Sequence, residues 1–290
     1  MASIAVVGAT GNTGRATIKE LKALGENPLC VVRNAEKARE VLGADAISVI
    51  ADIEDRASLE KALKDIERVF VVTGHNPKLG DQQINILEAA KAAGATFVLK
   101  VSGGRSVVGP NVESIVGRGH HMVEEAIRNS GLSWCLLSPG LFMQNTLAAA
   151  ASIKNEGKMA QPFAKDLPLA FIDVRDTGAV AARILIDPAT HAGKVYEFTG
   201  GETTFEEFAK VFSDVLGKPI VYVGIGLEAA EHGMKARGMP EWLVAHLLAM
   251  ARVGAKGGFS AEKTQPIRDI VGRAPITTRQ FVEDHKVAFS

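Results

Sequence analysis

The apolar run Ile4-Ala-Val-Val7 passes without a spacer into Gly8-Ala-Thr-Gly11-Asn-Thr-Gly14, and an amphipathic segment over 15–24 follows. Glycines at this spacing let the chain turn tightly at the end of a buried strand and let the next helix pack close against it. That helix opens with free N–H groups and the positive end of its dipole, which suits a pyrophosphate. Gly8, Thr10, Gly11, Asn12, Thr13 and Gly14 are therefore the candidate phosphate cradle. A strand–loop–helix unit of this kind needs parallel neighbours, because a crossover helix returns the chain to lay the next strand alongside.

The following residues keep that rhythm. Apolar runs predict strands over 3–7, 28–32, 46–50, 68–73, 96–101 and 132–138. Helical patterns lie between them, over 15–24, 59–63, 82–93 and 120–129. Gln82, Ile84, Ile86, Leu87 and Ala90 supply one helical stripe, with Gly94 as its stop. Strands written as continuous Val, Ile and Leu are buried on both faces. The expected fold class is α/β, a Rossmann-type doubly wound parallel sheet with a smaller, mainly helical C-terminal substrate lobe. The expected division is a dinucleotide-binding domain over 1–150, which also receives 170–200, and a lobe over 151–290. Beyond Pro139, helices are expected over 175–186 and 203–216 and a strand over 195–199. Thr203 or Thr204 would cap the second helix, with Glu206 or Glu207 at the capping-box position. From Leu227 onward the pattern is mostly helical, with Pro240 opening one segment and Thr277 or Thr278 capping the last.

Composition narrows the function. The 33 basic and 33 acidic residues cancel and are interspersed, so there is no footprint for nucleic acid. Cys30 and Cys135 sit in apolar runs and read as buried free thiols rather than as a disulfide or a nucleophile, which fits a reducing compartment. The uncharged stretch 131–153 is broken by Pro139-Gly140 and diluted by Ser, Gln and Asn. It reads as a buried strand, turn and helix, not a membrane span. The N-terminal residues lack a signal-peptide pattern. A cytoplasmic monomer or homodimer without membrane or nucleic-acid partners is expected.

The end of the second strand selects the cofactor. An Asp or Glu there would hold a ribose 2′-hydroxyl, but this chain reads Val32-Arg33-Asn34-Ala-Glu-Lys37. A carboxylate would repel a 2′-phosphate, whereas the fork of donors on Arg33 binds one. NADP(H) is the expected cofactor, with Arg33 and Lys37 as its contacts; otherwise both are solvated loop charges. Asp52 and Ile53 after the third strand either bracket the adenine or, for Asp52, cap a turn. Thr73, Gly74 and His75 follow the fourth strand at the same edge. His75 is either a satisfied loop histidine or a substrate contact.

Taken together, these segments resemble the NmrA-like branch of the atypical short-chain dehydrogenase/reductases, almost end to end. The resemblance rests on Gly8 to Gly14, on Val32 to Lys37, and on Ser130-Gly-Leu-Ser-Trp through Ser138-Pro-Gly-Leu-Phe-Met-Gln-Asn145. Phe171-Ile-Asp-Val-Arg-Asp176 and the segment from Thr277 to Phe281 also carry it. Within the family, the chain is most similar to bacterial NADPH-dependent azo reductases and type 2 quinone oxidoreductases. The resemblance implies an NADPH-dependent oxidoreductase acting on a small aromatic or conjugated compound. The alternatives are a non-catalytic NADP(H)-sensing regulator and an isoflavone-reductase-like or imine reductase.

Ordinary short-chain dehydrogenases move a proton with a Tyr-x-x-x-Lys pair. Here the two tyrosines, Tyr196 and Tyr222, are each followed four residues later by glycine. Counting back from Ser130-Gly131, Val116 falls at the usual tyrosine position and His120 where isoflavone-reductase-like relatives carry their catalytic lysine. His120 and Glu124 share a helix face. His120 is the candidate proton donor or ribose contact and Glu124 its orienting partner; otherwise they are a surface pair. Ser102 and Pro139 are expected beneath the nicotinamide. Phe142, Met143 and Asn145 are candidate substrate contacts, with lid-helix core as the other reading of Phe142 and Met143. Lys100 is expected to face away or to hold a carboxylate. The stripe Met234, Met239, Trp242, His246 and Met250 reads as core. Without the tyrosine, hydride placement matters more than acid strength, which suits an azo compound in its hydrazone form or a quinone. No flavin signature and no metal-ligand spacing are present in the sequence.

Overall fold

The computed structural model describes residues 3–259 and 263–290. The strands expected from the first half of the sequence are β1 (Ile4–Val7), β2 (Leu29–Val32), β3 (Ser48–Ile50), β4 (Arg68–Val71), β5 (Phe97–Val101) and β6 (Ser133–Pro139). Then come β7 (Leu141–Phe142), β8 (Lys158–Gln161), β9 (Leu169–Ile172), β10 (Lys194–Phe198), β11 (Gly201–Thr203) and β12 (Val221–Gly224). Among the described residues, seven strands form one sheet in the order β10-β6-β5-β4-β1-β2-β3, and every neighbouring pair is parallel. The order reverses between β1 and β4. In such sheets ligands bind outside the carboxyl ends of the strands at that point.

The crossovers are α1 (Asn12–Ala23), α2 (Ala35–Leu42), α3 (Arg56–Ala62), α4 (Leu79–Ala92) and α5 (Ile115–Arg128). α2 was not expected. It is short and is opened by Asn34, whose side chain accepts from the Lys37 N–H, so Lys37 lies in a first helical turn rather than a loop. α5 begins five residues before the expected 120, capped by Ser114 through the Gly117 N–H. The second half contributes α6 (Ala150–Glu156), α7 (Val174–Ile186), α8 (Pro188–His191), α9 (Phe205–Leu216), α10 (Leu227–Ala236), α11 (Glu241–Ala255), α12 (Gln265–Val271), α13 (Thr278–Asp284) and α14 (Lys286–Phe289). Thr204 and Glu207 form the capping box of α9. Thr277 caps α13.

Both faces of the sheet are covered. Ile18 and Leu21 of α1 and Val180 and Ile184 of α7 pack on one side, together with Phe97, Leu99 and Val101 of β5. Leu59, Ile86, Leu87, Val123 and Ile127 from α3, α4 and α5 pack on the other, together with Val98. The C-terminal lobe has its own core of Phe205, Phe208, Phe212, Phe281 and Phe289. It also holds two small sheets, β11-β9-β7 and β12-β8, that the sequence pattern did not announce. Cys30 and Cys135 are free and buried, and burial raises their thiol pKa values to about 11 and about 12. Among the described residues, no helix is long and apolar enough to cross a membrane.

Candidate active site

The glycine-loop end of the groove is made of backbone. Gly11 is the N-cap of α1, no side chain caps that helix, and its first turn holds no acidic residue. The leading N–H groups are thus left for an anion. Gly8 has φ +95°, and a Cβ there would lie 1.9 Å from the Val72 carbonyl oxygen. A Cβ on Gly14 would lie 2.3 Å from the Gly8 carbonyl oxygen, so only glycine lets β1, β4 and α1 meet here. Thr13 is buried beneath the loop, and the Asn12 side chain accepts from Arg15 at 2.7 Å.

The end beside β2 and β3 is open. Arg33 leaves β2 exposed, and Lys37 is exposed on α2; neither is in an ion pair among the described residues. Asp52 accepts from the Glu54 N–H at 2.9 Å, so it closes a turn. Ile53 is half-buried beside it. Thr73 accepts from Gln83 Nε2 at 2.8 Å, which fixes the loop that carries Gly74 and His75.

Beyond that loop, at the carboxyl ends of β5 and β6, lies a cleft of about 330 Å³. Val107, Val116, Pro139, Phe142, Met250 and Phe259 provide much of its apolar wall. Ser102, Ser114, Asn145 and three histidines provide polar groups. His75 comes from the β4–α4 loop, His120 from α5 and His246 from α11. The His75 ring meets the His120 ring edge-on at 5.7 Å between centroids and the His246 ring at 5.3 Å. The Ser114 hydroxyl accepts from the Gly117 N–H at 3.0 Å and lies within hydrogen-bond distance of His246 Nδ1, at 2.7 Å.

Burial sets the charge state of this cluster. It lowers the His120 pKa well below the ordinary histidine value, helped by Lys100 and the other two histidines. His246 is brought down to about 4 by burial and then by His75. His75 is open to solvent at one side but crowded by the cleft walls, and that desolvation, with Lys100, lowers its pKa as well. All three rings are neutral at neutral pH.

His120 Nδ1 lies 2.8 Å from Lys100 Nζ. Lys100 is fully buried, and burial pulls its pKa down to about 7 against the opposing charge of Glu124. The expectation that Lys100 faces away or holds a carboxylate is corrected. Strand alternation puts it on the same face as Val98, toward α5, and no carboxylate among the described residues pairs with it. Glu124 is buried one helical turn from His120, as the spacing requires, but does not orient it. Its oxygens accept from Ser102 Oγ at 2.5 Å, Arg128 Nη2 at 2.9 Å and Arg105 Nη1 at 3.5 Å. Glu124 therefore fixes Ser102, because the turn after β5 drops that hydroxyl onto it. Met143 is not a cleft residue either. It is 2% exposed in the lobe core with Ile153 and Phe208, since β7 turns it inward.

The NmrA-like family model matches residues 1–273. The chain belongs to the NmrA-like family. The resemblance expected from the motifs is thereby borne out. This NmrA-like chain is 31% identical over 288 residues to the NAD(P)H azoreductase of Xenophilus azovorans, covering 99% of each chain. It is equally identical, at 31% over 288 residues and 99% of each chain, to a (4-alkanoyl-5-oxo-2,5-dihydrofuran-3-yl)methyl phosphate reductase of Streptomyces griseus subsp. griseus. Among solved structures, the Escherichia coli NADPH-dependent quinone oxidoreductase complexed with NADPH superposes with a TM-score of 0.85. The identity is 27%, over 97% of this chain and 99% of that one.

In this NmrA-like chain the sequence pattern missed the role of Lys100, Ser114 and the 103–108 loop. The stripe on α10 and α11 divides: Met234 is core, whereas His246 and Met250 line the cleft. A histidine within an apolar stripe was the available signal. Neither tyrosine reaches the cleft. Tyr222 donates to the Phe163 carbonyl in the lobe, and Tyr196 pairs with His191 at the sheet edge.

Proposed function

We propose that this protein is an NADPH-dependent reductase that delivers hydride directly, without a flavin, to a planar conjugated acceptor: an azo compound in its hydrazone form or a quinone. The observation that carries this reading is the cleft. Its walls are largely apolar, Val116 takes the position of the missing tyrosine, and the buried imidazole of His120 lines the cleft as a proton donor. The names of the relatives support the same class of reaction.

The residues present fit the cofactor. Gly8 to Gly14 would hold the pyrophosphate on uncapped N–H groups and Arg33, with Lys37, the 2′-phosphate. Asp52 and Ile53 would flank the adenine, Thr73, Gly74 and His75 the central groove, and Ser102 with Pro139 the nicotinamide. When bound, NADPH supplies the hydride. Phe142 and Asn145 would orient the acceptor in the cleft, and His120 would offer a proton to the anion that develops on it. The 1–150 segment with 170–200 forms the nucleotide-binding domain, and the lobe over 151–290 closes the acceptor side. The two free, buried thiols suit a reducing, cytoplasmic setting.

The test is NADPH consumption by the purified protein against panels of azo dyes, quinones and simple ketones. Acceptor-dependent oxidation with dyes or quinones well above ketones is expected. Tight NADP(H) binding with no acceptor-dependent oxidation would leave a nucleotide sensor instead.

A further inference from the structure

Lys100 is the least expected residue in the molecule. A lysine with no solvent exposure loses its hydration, and such residues are normally paired with a carboxylate. This one has two partners, His120 Nδ1 at 2.8 Å and the Val101 carbonyl oxygen at 3.2 Å. Glu124, the nearest acid to act on it, is occupied by Ser102, Arg128 and Arg105. His120 lines the cleft, and its Nε2 makes no hydrogen bond to any described residue.

We propose that Lys100 is a positioning residue for proton delivery: it donates to His120 Nδ1, holds the ring in the tautomer whose Nε2–H faces the cleft, and restores that proton after each transfer. The proposal rests on the reductase reading for its chemistry, but the hydrogen-bond wiring stands apart from it. An ammonium can only donate, so Nδ1 can only accept, and the ring proton is confined to Nε2. The hydride adds to the acceptor with its electron pair and leaves an anion on oxygen or nitrogen. That anion takes the Nε2 proton: the Nε2–H bond breaks and an O–H or N–H bond forms. Nδ1 takes a proton from Nζ in return, and Lys100 becomes a neutral amine. After product leaves, solvent protonates Nε2 through the open cleft and the Nδ1 proton returns to Nζ. One proton and one hydride are consumed per acceptor.

The electrostatics of the neighbourhood agree. The groups facing the pair are His75 from the β4–α4 loop, His246 from α11 and Glu124 from α5, the last held by Arg105 and Arg128. His120 is kept neutral, so its Nε2–H can leave only as Nδ1 gains the Lys100 proton. Burial brings Lys100 to about 7, so its proton is transferable at neutral pH. As pH rises through that value the ammonium is lost and the tautomer is released, so turnover falls on the alkaline side.

The experiment compares wild type with K100M, which keeps the length and removes the charge, and with K100R, which keeps a permanent donor. Nitrogen NMR of the histidine side chains in the cofactor-free protein reads the His120 tautomer directly. Wild type and K100R should show protonated Nε2, and K100M a mixture or protonated Nδ1. In steady-state assays K100M should lose about tenfold in turnover with little change in the KM for NADPH, and should lose the alkaline fall. K100R, whose guanidinium fixes the tautomer but gives up no proton, should lose turnover about as K100M does and show no alkaline fall. An unchanged His120 tautomer in folded K100M, or an unchanged alkaline limb, would overturn the proposal. If wild type turns over no acceptor while the tautomer still changes in K100M, the reductase reading fails and the control of His120 stands.

Discussion

The two ends of the groove are built by opposite means. The glycine-loop end is one continuous stretch, Gly8 to Gly14, and it presents uncapped backbone N–H groups at the start of α1. The cleft end is assembled from side chains on separate segments: His75 after β4, Ser102 after β5, His120 on α5, Phe142 and Asn145 after β6, and His246 on α11. Backbone recognition is indifferent to side chains but intolerant of any Cβ that blocks approach. Side-chain recognition is tolerant of shape, but each substitution alters the chemistry. In the proposed reading the fixed end would hold the pyrophosphate and the composite end the acceptor, which is how one fold serves many substrates.

That contrast can be broken at either end. The largest effect is expected from Gly8→Ala, whose Cβ would collide with the Val72 carbonyl at a φ of +95°. NADPH affinity should fall by more than about a hundredfold, and the melting temperature should drop as backbone strain of about 1–3 kcal/mol is imposed. Calorimetric titration and thermal unfolding check both. His120→Ala should cost about a hundredfold in turnover while NADPH affinity changes little. A matching loss of affinity would mean that His120 holds the ribose instead. Arg33→Asp should weaken NADPH by about ten- to thirtyfold and NADH hardly at all, since the lost contact is a charge-assisted fork on a phosphate. Equal losses would remove Arg33 from the cofactor site.

A smaller effect is expected in stability against pH. The folded pKa of Lys100, about 7, lies below the ordinary lysine value of 10.5. Between those values the unfolded chain binds more protons, so stability rises with pH through that window. The cost of the buried charge is fully present below the folded pKa and gone above the unfolded one. K100M should therefore melt about 5 °C higher than wild type near pH 6, with the gap narrowing toward pH 10. A gap independent of pH would show that packing, not charge, separates the two proteins.

The same contrast explains what could be read from sequence. The glycine loop is local, so strand, turn and helix were all visible in the stretch from Ile4 to Leu24. The parallel strands were visible because burial on both faces writes them as unbroken apolar runs. Lys100 was invisible for the converse reason. A lysine in a strand reads as an outward residue, and its partner is 20 positions away on α5. Glu124 showed its helix-face relation to His120, but not that Ser102 would reach it first. His246 looked like core because α11 buries it, and only the approach of α11 to the N-terminus of α5 gives it Ser114 as a partner. Arg33 was legible because it replaces an acid at a position whose role follows from the fold.

The most direct measurement of the central claim is NADPH oxidation by purified protein whose absorption spectrum contains no flavin band, with a quinone or azo dye as the sole acceptor. The account predicts oxidation that requires the acceptor, falls as pH rises through about 7, and drops about a hundredfold in His120→Ala. Tight NADPH binding without acceptor-dependent oxidation, or oxidation that begins only when flavin is added, would contradict it.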